Sequence, residues 1–219
     1  MILKAPFRSP YSLNVTQEYG NTSFNAWYRA NGIDAPYHNG IDIAFDIGSN
    51  LCSIHTYGTE CLCPFNEAKV VKVTWDCPTS TKGNGVTIEY KIDENTCYQV
   101  VFWHAGEIKV KLGDKLKEGD IICYIGNSGL VSPKPTEGDP WAGAHCHLRV
   151  IKYFYNGVYW VTNGDMNPRT LFDFTQWHSG EDTGFFHDIW VLTKFLATES
   201  GRYVMSWFRS KEKILKNEY

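Results

Sequence analysis

Apolar and polar positions trade places in short bursts through the middle of the chain. The runs Lys69-Val70-Val71-Lys72-Val73, Gly85-Val86-Thr87-Ile88-Glu89-Tyr90, Tyr98-Gln99-Val100-Val101-Phe102-Trp103 and Ile121-Ile122-Cys123-Tyr124-Ile125 are rich in β-branched and aromatic residues, with Gly, Asn, Asp and Pro around them. Runs of this length between such breakers predict strands. Two more, residues 147–155 and 158–161, are separated by Asn156-Gly157 alone. That dipeptide supplies the positive φ angles of a type I′ turn, so a two-residue hairpin is expected. Before about residue 183 there is no long helical period, and the body is predicted to be mainly β, an antiparallel sheet or sandwich.

The pattern then changes. From Thr183 onward apolar residues recur at Phe185, Phe186, Ile189, Trp190, Leu192, Phe195 and Leu196, which approximates helical spacing. Gly201 would stop that helix, and a second would carry Tyr203, Val204, Trp207 and Phe208 ahead of Lys211-Glu212-Lys213. The expected organisation is a β body over residues 1–175 and a small α-helical extension over 176–219. The extension is either a helical hairpin packed on the body or a docking element, since exposed aromatic helix faces mark interfaces.

Composition narrows the function. A net charge of −3 and a pI near 6.2 give no bulk attraction to nucleic acid or to an anionic surface. No run approaches the roughly 18 apolar residues of a membrane span. The opening Met1-Ile2-Leu3-Lys4-Ala5-Pro6-Phe7 lacks the apolar stretch of a signal peptide, so synthesis in the cytoplasm without classical secretion is the expectation. Seven cysteines, an odd number, are then expected to be reduced and buried as small hydrophobes. Cys61 and Cys63 form a CxC that suits one face of a strand, and the absence of any CxxC argues against a separate structural zinc site.

Chemistry concentrates in two strings, His38-Asn39-Gly40-Ile41-Asp42 and His145-Cys146-His147. A hydrolytic zinc site usually takes three ligands from His and Asp or Glu and leaves a fourth position open. His145 and His147 at i, i+2 on a strand project to one face while Cys146 projects to the other. His38 and Asp42 are spaced i, i+4. Gly40 and the Ile41, Ile43, Phe45 alternation favour a loop running into a strand there. A lone histidine in a strand is ordinarily a packing or surface residue, and His55, His178 and His187 are read that way.

The order and surroundings of these strings resemble the LytM/lysostaphin-type zinc peptidases, family M23, over roughly residues 10–172. Asn14-Val15-Thr16-Gln17-Glu18-Tyr19-Gly20 is similar to the family's opening segment, and His38-Asn39-Gly40-Ile41-Asp42 to its HxGxD motif. Gly58-Thr59-Glu60-Cys61-Leu62-Cys63-Pro64 followed by Ala68-Lys69-Val70-Val71 resembles its paired strands. Phe102-Trp103-His104 resembles its single-histidine strand end, and residues 113–129 the segment before HxH. His145-Cys146-His147-Leu148-Arg149-Val150 matches the HxH strand, and Asn167-Pro168 the closing segment.

The resemblance implies one Zn²⁺ per chain held by His38, Asp42 and His147. It implies that His104 and His145 share proton transfer and oxyanion stabilisation, and that the substrate is a stem or cross-bridge peptide of bacterial peptidoglycan. Two insertions depart from the pattern, residues 45–57 and 131–142; the second is expected either to wall the substrate groove, with Trp141 as a contact, or to be a surface loop. A biotinyl or lipoyl carrier module shares the Gly113-Asp114…Gly119-Asp120 pattern but would need a modified lysine in a Met-Lys-Met-like or Asp-Lys-Ala-like turn, which is absent. A catalytically inactive LytM-like structural domain is the other alternative. A wall hydrolase without a signal peptide suggests a bacteriophage setting, as a virion component docking to tail proteins through residues 176–219 or as a lysin released at lysis.

Overall fold

The computed structural model describes residues 2–30, 32, 37–49, 52–75 and 81–179. The helices expected beyond Thr183 lie outside the described residues, as does His187. The chain is mainly β. Its strands run β1 (Leu3–Lys4), β2 (Phe7–Arg8), β3 (Leu13–Gln17), β4 (Ile41–Phe45), β5 (Glu60–Leu62), β6 (Ala68–Thr74), β7 (Gly85–Asp93), β8 (Thr96–Trp103), β9 (Ala105–Ile108), β10 (Lys115–Leu116), β11 (Ile121–Ile125), β12 (Cys146–Tyr155), β13 (Trp160–Met166) and β14 (Phe172–Asp173). Helix α1 (Ser23–Ala30) precedes β4 and helix α2 (Cys52–Thr56) follows it.

Eight strands form a large antiparallel sheet in the order β10-β6-β7-β8-β12-β4-β3, with β13 also paired to β12. Four make a smaller antiparallel sheet, β2-β5-β11-β9, and β1 and β14 pair in parallel. Residues on the inner face of the large sheet, Ile41, Ile43 and Phe45 of β4, Val100 and Phe102 of β8, and Cys146, Leu148 and Val150 of β12, are buried in one core with Phe7, Cys61, Cys123 and Ile125 of the small sheet. Because strand side chains alternate, the intervening Asp42, Trp103 and His147 face the other way. The sheet thus separates a dry core from a chemical face with a one-residue period.

All strands expected in the body are present, with ends that differ by a few residues. The hairpin between β12 and β13 differs in its turn. Tyr155 pairs with Trp160, so four residues rather than two make the loop. Asn156 holds it by accepting from the Val158 and Tyr159 amides with Oδ1, both at 3.0 Å, and Gly157 supplies a φ of +96°. The side chain of Asn156 thereby competes with the two-residue turn that Asn-Gly alone would favour.

The two short helices are a second difference. Thr22 starts α1, its Oγ1 accepting from the Asn25 amide at 3.3 Å and its carbonyl from the Ala26 amide at 3.1 Å. Helix α2 occupies the first insertion. Its His55 is buried, stacked on Tyr11 with ring centroids 3.7 Å apart, and bonded through Nδ1 to Asp46 at 2.7 Å, which is the packing role expected for it. The six described cysteines are free, and all but Cys52 are buried. Burial pushes the Cys63 and Cys97 thiols up to about 11, which suits inert core residues.

Residues 176–178 are tied to the body. The Ala5 amide donates to the Gln176 carbonyl at 2.8 Å, the Ser9 amide to the His178 carbonyl at 3.1 Å, and Trp177 Nε1 to the Ser9 carbonyl at 3.1 Å. No helix among the described residues is long and apolar enough to cross a membrane.

Candidate metal centre

His147 stands on the central strand β12 directly opposite Asp42 on β4, so sheet register alone brings imidazole and carboxylate together. His38 arrives from the loop before β4. Its backbone exchanges two 2.8 Å hydrogen bonds with Gly20, and its Nδ1 donates to the Glu18 carbonyl at 2.9 Å. Glu18 is in turn clamped by Arg169, at 3.0 and 2.5 Å. Gly40 is required between them, because a Cβ there would lie 2.6 Å from the Leu148 carbonyl oxygen and 2.7 Å from His147 Nε2.

Three atoms result in a closed triangle. His38 Nε2 lies 3.1 Å from Asp42 Oδ1 and 3.0 Å from His147 Nδ1, and His147 Nδ1 lies 2.9 Å from Asp42 Oδ1. Among the described residues, His38, Asp42 and His147 are the group whose side chains converge closely enough to hold a metal ion. The donor set fits one. With the His38 proton committed to the Glu18 carbonyl, its Nε2 presents a lone pair to a carboxylate oxygen, an arrangement that needs positive charge between the two atoms. Two imidazoles and a carboxylate are also the ligand types that zinc takes in hydrolytic sites, where tetrahedral bonds of roughly 2.0–2.2 Å set ligand atoms about 3.3–3.6 Å apart, slightly wider than this triangle.

The electrostatics point the same way. Burial opposes the charge on Asp42, but bonding to His147 and His38 outweighs it and holds the carboxyl well below the usual range. Burial also opposes a charged His38, yet the Asp42 carboxylate prevails and raises its pKa. For His147 burial dominates despite Asp42, and the pKa is lowered. The cluster is a fixed negative charge walled by imidazoles.

The other two predicted histidines sit beside the triangle. The chain leaves the large sheet at Trp103 and enters the small one at Ala105, so His104 alone makes the corner, with a φ of +62°. Its Nδ1 donates to the Ser128 carbonyl at 2.7 Å. His145, just before β12, donates from Nδ1 to the Gly143 carbonyl at 2.8 Å. Both therefore carry a proton on Nδ1, which leaves Nε2 as the nitrogen that can gain or lose one. Their ring centroids are 4.5 Å apart, and His145 Nε2 lies 3.9 Å from Asp42 Oδ2. Burial first, and neighbouring His145 next, push His104 down to about 4, so it is neutral at pH 7.

All five residues line one cleft of about 870 Å³. Gln17, Tyr28 and Ser53 line it on the side of the helices; Val131, Ser132 and Pro133 line it from the second insertion. That insertion does wall the groove, but through its start; Trp141 is not among the lining residues.

No protein-family model matches the chain. The curated protein it matches is an uncharacterized metalloprotease of Buchnera aphidicola subsp. Baizongia pistaciae (strain Bp), 26% identical over 171 residues. That alignment takes in 78% of this chain and 34% of the relative, so the chain spans about a third of the length of the curated relative it matches. Three solved structures are similar to the chain as well. The catalytic domain of lysostaphin from Staphylococcus simulans is 19% identical, covering 73% of this chain and 90% of that one, with a TM-score of 0.47. The catalytic domain of the prophage-encoded M23 protein EnpA from Enterococcus faecalis, as a variant, is 24% identical, over 76% and 95% of the two chains, with a TM-score of 0.46. A zinc-containing peptidase from Vibrio cholerae is 20% identical over 77% and 40%, with a TM-score of 0.49.

The chain is similar to M23 metallopeptidases.

Around this centre lie residues that sequence reading did not single out. Tyr37, next to His38, donates to Asp165 Oδ2 at 2.8 Å; Arg149 bonds Asp165 Oδ1; and Tyr19 donates to the Asp165 carbonyl at 2.9 Å. Asp165 thus ties the β12–β13 hairpin to the loop that carries His38. The turn Gly126-Asn127-Ser128-Gly129 supplies the carbonyl that holds His104. Its glycines were visible in the sequence, but nothing there marked which carbonyl would meet a histidine.

Proposed function

We propose that the chain is a zinc-dependent endopeptidase that hydrolyses peptide bonds of bacterial peptidoglycan, in stem or cross-bridge peptides. The observation that carries the reading is the triangle of His38 Nε2, Asp42 Oδ1 and His147 Nδ1 with two further imidazoles of fixed tautomer beside it. The substrate class follows from the sequence resemblance to LytM/lysostaphin-type peptidases. The cleft suits an extended peptide: apart from the five site residues, its described lining is uncharged.

Zinc held by His38, Asp42 and His147 would supply Lewis acidity, polarising the scissile carbonyl and acidifying water. His104 and His145 supply the proton chemistry. Each has Nδ1 committed to a backbone carbonyl, so each can accept a proton at Nε2. Two rings this close disfavour carrying charge together, so the pair handles one proton at a time. Asp42 Oδ2 faces His145 Nε2 and favours His145 as the site of that charge. His145 takes the proton as water adds to the carbonyl carbon. It returns the proton to the leaving amine as the C–N bond breaks, while buried His104 orients the reacting groups. An inactive LytM-like domain would be expected to have lost a member of the set, and none is lost. Docking to tail partners is expected of residues 176–219, nearly all of them outside those described, and the enzymatic reading depends neither on it nor on a phage setting.

Metal analysis and digestion of purified peptidoglycan test this together. His147→Ala should lose zinc and hydrolysis alike. His145→Ala should keep zinc and lose roughly 10²–10⁴-fold in rate, the usual weight of a general base. Full zinc in the first variant, or wild-type hydrolysis by the second, would overturn the assignment.

A further inference from the structure

His145 can act as described only while its Nδ1 remains the protonated nitrogen, and the group that enforces this is the Gly143 carbonyl, at 2.8 Å. Gly143 has a φ of +68°, in contact so close that a Cβ would lie 2.2 Å from the Pro133 carbonyl oxygen. A glycine's own backbone preferences do not hold such a conformation, so it must be imposed from outside.

The surrounding bonds show how. The peptide group joining Gly143 to Ala144 presents its N–H to the Trp141 carbonyl at 3.1 Å. Its C=O, pointing the opposite way across a trans peptide, is thereby aimed at His145. Trp141 in turn lies between Pro140 and Ala142, and both of those carbonyls accept from Asn127 Nδ2, at 2.9 and 3.1 Å. The adjacent Gly126 carbonyl accepts from the His145 amide at 3.2 Å, so the same turn holds the backbone of His145 as well.

We infer that Asn127 is a positioning residue for His145: its side-chain amide fixes the 140–142 turn, which aims the Gly143 carbonyl at Nδ1. The inference rests on the reading of His145 as the proton carrier. It concerns a segment, residues 131–142, in which this chain departs from the pattern it otherwise resembles. Hydrogen bonds that orient metal-ligating imidazoles typically contribute roughly 10–100-fold in affinity or activity, and the same scale is expected for a proton-carrying imidazole beside the metal.

The test is ¹⁵N NMR of histidine-labelled full-length protein, with the His145 signals identified by their loss in His145→Gln. Asn127→Asp keeps the shape and removes the N–H donors; Asn127→Ala removes the side chain; Asn127→Gln keeps an amide. In the Asp and Ala variants the single Nδ1–H signature of His145 should give way to mixed tautomers, with zinc content unchanged, kcat down roughly 10–100-fold and KM little altered. Asn127→Gln should recover part of the signature. An unchanged tautomer in both donor-lacking variants would overturn the inference, as would a loss of kcat that only tracks loss of zinc and folded protein. If wild-type protein failed to hydrolyse peptidoglycan, the functional reading would fall, while the tautomer comparison would still decide the role of Asn127.

Discussion

At the scale of the residue, the site depends on where protons sit, and those positions are set by backbone carbonyls. Glu18, Ser128 and Gly143 each accept from an Nδ1 and leave Nε2 of His38, His104 and His145 facing the cleft. The histidines and Asp42 were legible in the sequence because their types and spacing are chemically restrictive. The carbonyls were not, since every residue has one and only the fold selects which. His104 illustrates the cost. It holds a left-handed φ of +62°, a conformation disfavoured by roughly 1–2 kcal/mol for a residue with a Cβ. His104→Gly should therefore be more stable than His104→Ala by about 1 kcal/mol in denaturant unfolding, although both should lose hydrolysis. A glycine variant less stable than the alanine variant would contradict the corner geometry.

At the scale of the element, β12 carries most of the design. It pairs with β4 and β13 along one edge and with β8 along the other, placing His147 on the cleft face and Cys146 and Leu148 in the core. The strand was readable from its β-branched and aromatic run, and the facing from the two-residue period. What escaped was short-range detail. Helices of eight and five residues, α1 and α2, are too short for a 3.6-residue period to show. The β12–β13 turn was misjudged because Asn156 uses its side chain on the loop amides. Leu148 is fully buried on the same strand as His147, so Leu148→Ala should cost about 2–5 kcal/mol in a urea or guanidinium titration. A loss under 1 kcal/mol would mean that this core layer can collapse around the deletion.

At the scale of the molecule, two antiparallel sheets share one core, and the corner at His104 lets the chain pass from one to the other at the edge of the cleft. Sequence spacing put His38 and His147 more than a hundred positions apart; pairing of β12 with β4 makes them neighbours. Residues 176–178 are hydrogen-bonded to residues 5–9 and so are held on the β body. The functional account requires the metal triangle and the histidine pair to work as one centre. Its most direct test is the release of new amino groups from purified peptidoglycan by protein stripped with a chelator and then titrated with zinc. Hydrolysis should vanish on stripping and return in full with one zinc per chain. Hydrolysis that survives complete removal of metal, or a zinc-loaded protein that releases no amino groups, would contradict it.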